Sequence, residues 1–522
     1  MRNLLVLTAA LGLAGVASAQ SNTATTTQSG TTNSSATVQE GGSGNEATVD
    51  QDGTENESQI RQNGNANITT IDQDGFSHRG IETMASGDGN ITNITQSGGD
   101  PGAETGGNSL TRVELWGDDN TVDVTQEGDN QRVFVELQTG GGGNDENDID
   151  IFQEGSGQDA LVDIDGDLNT VAVDQAGSDN NVGVVFGTAG VSIVGDDNDV
   201  DIDQDGTGNS ATASVTGGGT LNSSTIRQGV EFGAAAGSAN ANTASTTQAG
   251  SDNDATVNQG VAAGLLAGAE AVGNTAAVDQ DGTSNEATVN QGSAAGAFVG
   301  AFGSENDADI QQDGTSNVAT VNQGSALGGL SAAAGALNEA DVAQDGTSNE
   351  ATVNQAATGT LDANLGVGNI ADVTQTGASN LATVDQDGLG NDAFVDQDGD
   401  SGTADIDQSG ADNMADVFQD NATGSGTSNA TAADVDQVGS GNTANIDQVS
   451  ARDDKPGFSS TVNQDGTGNS ATVEQGLVGP SNNTWGLTAT ITQVGSSNTA
   501  EQYQSKRNNE ATIEQGLVDG AS

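Results

Sequence analysis

The sequence repeats with a period of eleven residues, and this period constrains the fold more than any other feature. Glutamines recur at that interval in the series Gln375, Gln386, Gln397, Gln408 and Gln419. Around each one, Asn usually stands six residues before, a small residue four before, Val or Ile two before, and Gly two after. The consensus N-x-A-x-V-x-Q-x-G-x-x-N recurs roughly thirty times, so the chain is a repeat protein.

The spacing of two within each unit predicts a β-strand. Residues two apart share one face of a strand, so Asn, Ala, Val and Gln lie together and the residues between them face the other way. In one unit the outward residues are Glu286, Thr288 and Asn290. The predicted inward ladder comprises Asn285, Ala287, Val289, Gln291, Asn317, Ala319, Val321, Gln323, Asn349, Ala351, Val353, Gln355, Asn380, Ala382, Val384 and Gln386.

The Gly-x-x-Asn segment after each Gln predicts a turn. Glycine supplies a positive φ angle there, and we expect Asn to tolerate one as well. The predicted turn glycines are Gly282, Gly314, Gly346 and Gly388.

A strand with one Ala and one Val on its inner face cannot be stable alone. Stacked units would place Asn over Asn and Gln over Gln at about 4.8 Å, with the amides hydrogen-bonded along the stack. The sequence therefore predicts an all-β fold: a cross-β, amyloid-like β-solenoid of stacked two-strand rungs with about thirty short strands.

Composition alone is typical of a disordered chain. Aromatic residues make up 2 %, apolar residues 32 %, and 75 acidic against 10 basic residues give a net charge of −65. A disordered chain would not keep Asn, Val and Gln at fixed spacing. The absence of Cys excludes disulfides, and the charge disfavours nucleic acid as a partner.

The N-terminal residues predict export. Arg2, an apolar run over 4–16 and the small residues 17–19 have the pattern of a secretory signal peptide over residues 1–19. This run is too short for a membrane span, and we expect no transmembrane segment elsewhere. Residues 20–522 are predicted to form a single repeat solenoid, irregular in 74–247 and regular with inserted loops at alternate turns in 248–375.

The irregular region keeps the strand pattern but loses some amides. Ile164 stands where the repeat has Gln, with Ala160 and Val162 in their usual places, and Leu115 is a similar apolar variant. His78, the only histidine, is predicted to be a loop residue.

No catalytic constellation stands out, and we expect no enzyme activity. A Ser-His-Asp triad would depend on His78 alone, and paired carboxylates such as Asp385 and Asp387 recur with the repeat rather than at one cleft.

No discrete metal site or cofactor is predicted. The series Asp163, Asp165, Asp167 and Asn169 resembles the start of a calcium loop, but Leu168 stands where that loop needs Gly. Diffuse calcium binding along the outward Asp residues is the better hypothesis.

The motif Q-x-G-x-x-N-x-A-x-x-x-Q resembles the curlin repeat, and Gln280, Gly282, Asn285, Ala287 and Gln291 fit every position of it. The chain is similar to the curlin family, the subunits of bacterial curli fibres, as a long acidic member. The resemblance implies a secreted functional amyloid that forms a cell-surface fibre for adhesion and biofilm matrix. It also implies a homopolymer that works with a nucleator subunit and an outer-membrane secretion apparatus, with the inward Asn and Gln driving templated stacking.

The sequence leaves two alternative functions to consider. A monomeric acidic β-solenoid surface protein or adhesin, with calcium as a candidate ligand, would need caps at both ends of the solenoid. The first and last repeats, at Asn22 and Gln515, look ordinary, and open strand edges favour addition of another chain. A surface-binding solenoid with an outward Thr array is disfavoured, because acidic residues and Asn interrupt Thr288, Thr320 and Thr352.

Overall fold

The computed structural model describes residues 21–78, 81–98, 110–137, 144–184, 188–229, 231–232, 236–260, 262–263, 268–292, 294–295, 300–324, 326–327, 332–355, 363–421, 430–450, 457–476, 486–505 and 508–516. These residues form 48 strand segments and no helix. Ten of the segments have only two or five residues, so the described part of the chain is all-β, as predicted. The predicted signal peptide, residues 1–19, lies outside the described residues.

The chain divides into two compact units. The first contains Met1–Gln228 and Thr243–Asp252, and the second contains Gly229–Asn242 and Asn253–Ser522. Each unit is a stack of parallel strands in two sheets, which confirms the β-solenoid class. That residues 20–522 form a single solenoid stays a prediction.

In the first unit, one stack of strands is called sheet A and the opposite stack sheet B. Sheet A contains β1 (Thr23–Thr31), β3 (Glu46–Thr54), β5 (Ile68–Phe76), β7 (Ile91–Gly98), β9 (Thr121–Asp129), β11 (Asp148–Ser156), β13 (Thr170–Ser178), β17 (Asp199–Thr207) and β19 (Ser223–Gln228). Sheet B contains β2 (Ser34–Glu40), β4 (Glu57–Asn63), β6 (Ile81–Ser86), β8 (Leu110–Trp116), β10 (Arg132–Leu137), β12 (Asp159–Asp165), β14 (Asn181–Val184), β16 (Val191–Asp196), β18 (Ser210–Thr220) and β22 (Thr243–Ser251). The short β15 (Thr188–Ala189) pairs antiparallel with β14.

In the second unit the corresponding stacks are called sheets C and D. Sheet C contains β21 (Ala236–Asn240), β23 (Asp254–Gln259), β25 (Gly268–Val272), β27 (Glu286–Gln291), β29 (Gly300–Ser304), β31 (Val318–Gln323), β33 (Ala332–Ala336), β35 (Glu350–Gln355), β36 (Ala363–Val367), β38 (Leu381–Leu389), β40 (Thr403–Ala411), β42 (Ala432–Ser440), β44 (Ser459–Thr467), β46 (Thr488–Ser496) and β48 (Glu510–Gln515). Sheet D contains β26 (Thr275–Thr283), β30 (Asp307–Thr315), β34 (Glu339–Thr347), β37 (Ile370–Ala378), β39 (Asp392–Asp400), β41 (Met414–Asn421), β43 (Thr443–Ser450), β45 (Ser470–Gln475) and β47 (Thr499–Gln504).

The stacked strands pair residue for residue. For example, Gln280 of β26 lies opposite Gln312 of β30, and Gln312 lies opposite Gln344 of β34. Inward and outward residues alternate along each strand, so in β27 Ala287, Val289 and Gln291 are at most 1 % exposed. Each rung therefore encloses a core only two side chains thick.

The insertions interrupt strands of sheet C, whereas the repeat spacing predicts them at turns. β38 pairs with β35 through residues 381–386, and its last two residues pair with β36. The chain thus leaves the strand directly after a Gln and returns to complete the same strand before the turn. The inserted segments β20 (Glu231–Phe232), β24 (Ala262–Ala263), β28 (Ala294–Ala295) and β32 (Ala326–Leu327) stack into a third, four-stranded sheet.

Candidate functional site: the stacked amide ladders

The predicted glutamines of sheet C stack into one hydrogen-bonded ladder. Gln291 Nε2 donates to Gln323 Oε1 at 2.9 Å, Gln323 to Gln355 at 3.0 Å, and Gln355 to Gln386 at 3.0 Å. Each Nε2 also donates across the core to a backbone carbonyl of sheet D, as Gln291 does to Thr275 at 2.8 Å. These amides are at most 1 % exposed, and the second hydrogen bond holds the two sheets together.

Sheet D carries an equivalent ladder, with every bond running in the same direction. Gln280, Gln312, Gln344 and Gln375 each donate to the next glutamine at 2.8 Å. All donors point towards the C-terminal end of the stack. The ladder therefore has a polarity, with an acceptor at its N-terminal end and a donor at its C-terminal end.

The predicted asparagines join the turns of successive rungs. The backbone N–H of Asn317 donates to Asn285 Oδ1 at 3.0 Å, and the same bond joins Asn349 to Asn317 and Asn380 to Asn349 at 3.1 Å. Asn285 Nδ2 donates to the carbonyl of Gly314 in the next rung at 3.3 Å. Asn thus satisfies backbone groups that the turn would otherwise bury without partners.

The predicted small and β-branched residues fill the space between the amides. All eight are at most 1 % exposed: Ala287, Val289, Ala319, Val321, Ala351, Val353, Ala382 and Val384. Each lies over its equivalent in the next rung, so contacts between equal side chains repeat along the stack.

The turn glycines are required by the close approach of stacked backbones. Gly282, Gly314, Gly346 and Gly388 have φ angles between 118° and 129°. A Cβ atom on Gly282 would lie 1.9 Å from the carbonyl oxygen of Gly314, and one on Gly314 would lie 2.0 Å from that of Gly346. No side chain fits at such a distance.

The prediction that Asn takes a positive φ angle in the turn was wrong, because the residue before Asn is the second left-handed residue. Ser284, Ser316 and Ser348 all have φ 56°, and Gly390 occupies the same position with φ 62°. Asn instead begins the strand, where its side chain can reach the neighbouring rung. The signal in the sequence is the Ser, Asp or Gly that often precedes Asn.

One block of rungs in the first unit has an aliphatic column in place of one glutamine ladder. The column runs through sheet B as Leu115, Leu137, Ile164, Ile193 and Val215, in register and at most 1 % exposed. Sheet A keeps an unbroken glutamine ladder, with bonds of 2.6–3.0 Å. The sequence alone shows that Leu115 and Ile164 replace Gln. That they stack in one column can be recognised only once the strands are aligned in register.

His78 lies in the loop after β5 and is part of the asparagine ladder. It occupies an Asn position: its backbone N–H donates to Asn56 Oδ1 at 3.1 Å, and its ring Nε2 lies 3.2 Å from the carbonyl oxygen of Asp74. The residue is fully buried, and this burial lowers the pKa of the imidazole. His78 lies between β5 and β6, in a loop as predicted, but its Gly-flanked sequence does not reveal that it is buried in register with the Asn positions.

Outward carboxylates form columns at the strand spacing. Asp309, Asp341 and Asp372 pair in register, and partial burial raises the pKa of each, with neighbouring carboxylates adding to the effect at Asp309 and Asp341. The same causes raise the pKa of Asp407 to about 6 and that of Asp203 to about 7.

The calcium-like series does not converge on one point. Asn169 faces inward, where its backbone N–H donates to Asn147 Oδ1 at 2.9 Å, whereas Asp163 and Asp165 face outward from β12. Within the described residues, no group of three or more His, Cys, Asp or Glu side chains is arranged to hold a metal ion.

The stacked strands and amide ladders define a structural repeat protein, a parallel β-solenoid. Comparison with protein families matches the curlin associated repeat to residues 19–53, 144–177, 195–229, 366–399 and 390–420. These matches support a curlin-repeat protein, and the curlin family is a family of structural proteins. Residues 54–143, 178–194, 230–365 and 421–522 lie outside these matches.

No curated protein matches the sequence. The part of the chain that the structure describes contains no helix of the length and apolar character needed to cross a membrane.

Proposed function

We propose that the chain is a secreted structural subunit whose copies self-assemble into extracellular fibres at the cell surface. The fibres would serve cell adhesion and the biofilm matrix, with a nucleator subunit and an outer-membrane secretion apparatus as partners. The curlin repeats support this role, because subunits of the curlin family form extracellular fibres.

The main observation behind the proposal is that the glutamine ladders have unused hydrogen-bonding groups at both ends of the described chain. Within the described residues, Gln28 and Gln39 donate along the stack, but their Oε1 atoms accept no hydrogen bond. At the other end, Gln504 and Gln515 accept, but their Nε2 atoms donate only to backbone carbonyls of the opposite sheet. A second copy of the chain supplies the complementary groups at each end.

The inner faces of the terminal strands support the same conclusion. In β1 the inward Thr26 and Gln28 are only half-buried, as are the inward Ile513 and Gln515 of β48. Equivalent positions inside the stack, such as Val49 and Gln51, are at most 1 % exposed. Stacking of another copy would bury the terminal positions to the same degree.

The decisive experiment is to purify residues 20–522 and to follow them by electron microscopy and fibre diffraction. The proposal expects unbranched fibres with a reflection at about 4.8 Å along the fibre axis. Chains that stay monomeric for days would contradict it and favour a monomeric acidic surface protein or adhesin.

A further inference from the structure

We propose that a second copy joins the C-terminal end of the stack in a staggered arrangement, with its β1 on β47 and its β2 on β48. The inference rests on the proposed self-assembly and adds the register of the joint.

The described stack ends in half a rung. β48 pairs with β46 in sheet C, and β47 pairs with β45 in sheet D, but no described strand lies beyond β47 in sheet D. From β43 to β48 the strands alternate between sheets D and C, so the next position after β48 lies on β47. If β1 of a second copy stacked on β48 instead, one strand layer of about 4.8 Å would remain empty beyond β47.

The staggered joint continues both glutamine ladders. It places Gln28 of the incoming copy on Gln504 and Gln39 on Gln515, so each unused donor meets an unused acceptor. The polarity is the same as inside the stack, where Gln475 donates to Gln504 at 2.7 Å and Gln28 to its neighbour Gln51 at 2.6 Å.

The asparagine contacts also continue across the joint. The incoming Asn22 lies over Asn498, whose Oδ1 makes no hydrogen bond within the described residues while its Nδ2 donates to Asn469 and Val494. The backbone N–H of Asn22 would therefore find the acceptor that Asn45 finds in Asn22 at 3.1 Å.

A second pair of residues distinguishes the staggered joint from the alternative. The inward position two residues before the ladder Gln is Val473 in β45 and Val49 in β3, but it is Gln502 in β47 and Thr26 in β1. Gln502 is 5 % exposed; its Nε2 donates to Ala511 at 2.9 Å, and its Oε1 has no hydrogen-bond partner within the described residues.

The staggered joint places the Thr26 hydroxyl in the layer next to Gln502, where it can donate to Oε1. Stacking of β1 on β48 would instead place this hydroxyl on the apolar side chain of Ile513. Thr26 and Gln502, which stand where the repeat has Val, can therefore form a hydrogen bond with each other only in the staggered arrangement.

Cysteine cross-linking tests the joint, because the chain has no cysteine of its own. The variant T27C/Y503C places its thiols on adjacent outward positions of β1 and β47, whose Cα atoms lie about 4.8 Å apart in the staggered joint, within the range of a disulfide. The matched variant T27C/E514C tests the alternative. Both are assembled under reducing conditions, oxidised as fibres, and separated on a non-reducing gel.

We expect a ladder of covalent multimers from T27C/Y503C and monomers from T27C/E514C. The reverse pattern, or monomers from both variants in intact fibres, would overturn the staggered joint and leave self-assembly standing. Absence of fibres from the unmodified chain would instead refute the proposed function.

The second measurement concerns Thr26 and Gln502. T26V removes the hydroxyl donor, so we expect the monomer concentration in equilibrium with fibres to rise about fivefold, as for one lost hydrogen bond. T26V/Q502V replaces both partners with the apolar pair found inside the stack, and we expect it to restore the original value. A double variant no better than T26V would contradict contact between the two residues.

Discussion

The substitution Gly314→Ala tests whether close backbone stacking is what requires glycine in the turns. Gly314 has φ 118°, and a Cβ atom there would lie 2.0 Å from the carbonyl oxygen of Gly346. A comparable position without this contact is Gly368, which has φ 67° and no atom within 4 Å of a Cβ. Gly368→Ala is therefore the matched control, since it adds the same methyl group to a left-handed turn residue.

The expected costs differ because only one of the two methyl groups collides with backbone. A non-glycine residue in a sparsely populated backbone region costs about 1–3 kcal/mol. Relief of the contact at Gly314 must also separate β30 from β34, which weakens several hydrogen bonds worth about 1 kcal/mol each. We expect G314A to cost at least about 3 kcal/mol and G368A about 1 kcal/mol.

Hydrogen exchange measured by mass spectrometry on the soluble monomer resolves the effect, because a repeat stack opens locally rather than all at once. G314A should abolish slow exchange in peptides from β30 and β34 and leave β44 unchanged, whereas G368A should change its own neighbourhood only slightly. Equal losses in the two variants would show that the φ angle, and not the close approach of the stacked backbones, selects glycine.

Four other perturbations test the ladders, the turns and the charge. Gln323→Leu removes the side-chain acceptor of Gln291 Nε2 and leaves the buried Gln355 Oε1 without its donor, so we expect about 2–4 kcal/mol less stability in local hydrogen exchange, and an unchanged rate would contradict the ladder. Leu337 has φ 56° and is 57 % exposed, so Leu337→Gly should stabilise its turn by about 0.5–1 kcal/mol in the same measurement. The raised pKa values of Asp203, about 7, and Asp407, about 6, mean that the folded chain binds protons more tightly than the unfolded chain, so urea midpoints should fall as the pH rises from about 4 to 7, and a flat profile would refute this. Calcium at pH 8 should shorten the lag before fibres form by screening the outward Asp columns, and equal lags in calcium and in EDTA would exclude that role.

Most of the fold could be predicted from the sequence, because the spacing of residue types within each repeat determines which of them face inward and stack. A spacing of two fixes the inward face, and the recurrence of the same residue types makes stacking in register the only arrangement in which each amide meets its own kind. For this reason the inward-facing positions of Asn285, Val289 and Gln291 could be predicted from the sequence alone. The turn at Gly282 could be located for the same reason, although the left-handed residue beside Asn285 could not.

What the sequence did not reveal depends on contacts between rungs that are far apart in the chain. His78 reads as a loop residue because its neighbours lack the motif, and only the bond to Asn56 shows that it fills an Asn position. The sequence predicts a longer turn after Gln355, because β36 has no repeat motif. Its role as the end of a strand is shown only by its pairing with the last residues of β38.

The same physical reasoning explains how so acidic and aromatic-poor a chain can fold. An ordinary core stabilises a domain through apolar area, which a chain with 2 % aromatic residues lacks. Here each buried amide is satisfied by its own equivalents in the rungs on either side, so burial of polar groups does not carry the usual cost. A buried amide is fully hydrogen-bonded only where a rung lies on each side of it. The amides of the terminal rungs have a neighbouring rung on one side only. Since the outward carboxylates repel one another in register at the same spacing, the proposed assembly requires conditions that neutralise or screen the Asp columns. Stacking and charge control are therefore two consequences of one repeat, and a variant that removes an outward Asp column should assemble at a pH where the natural chain does not.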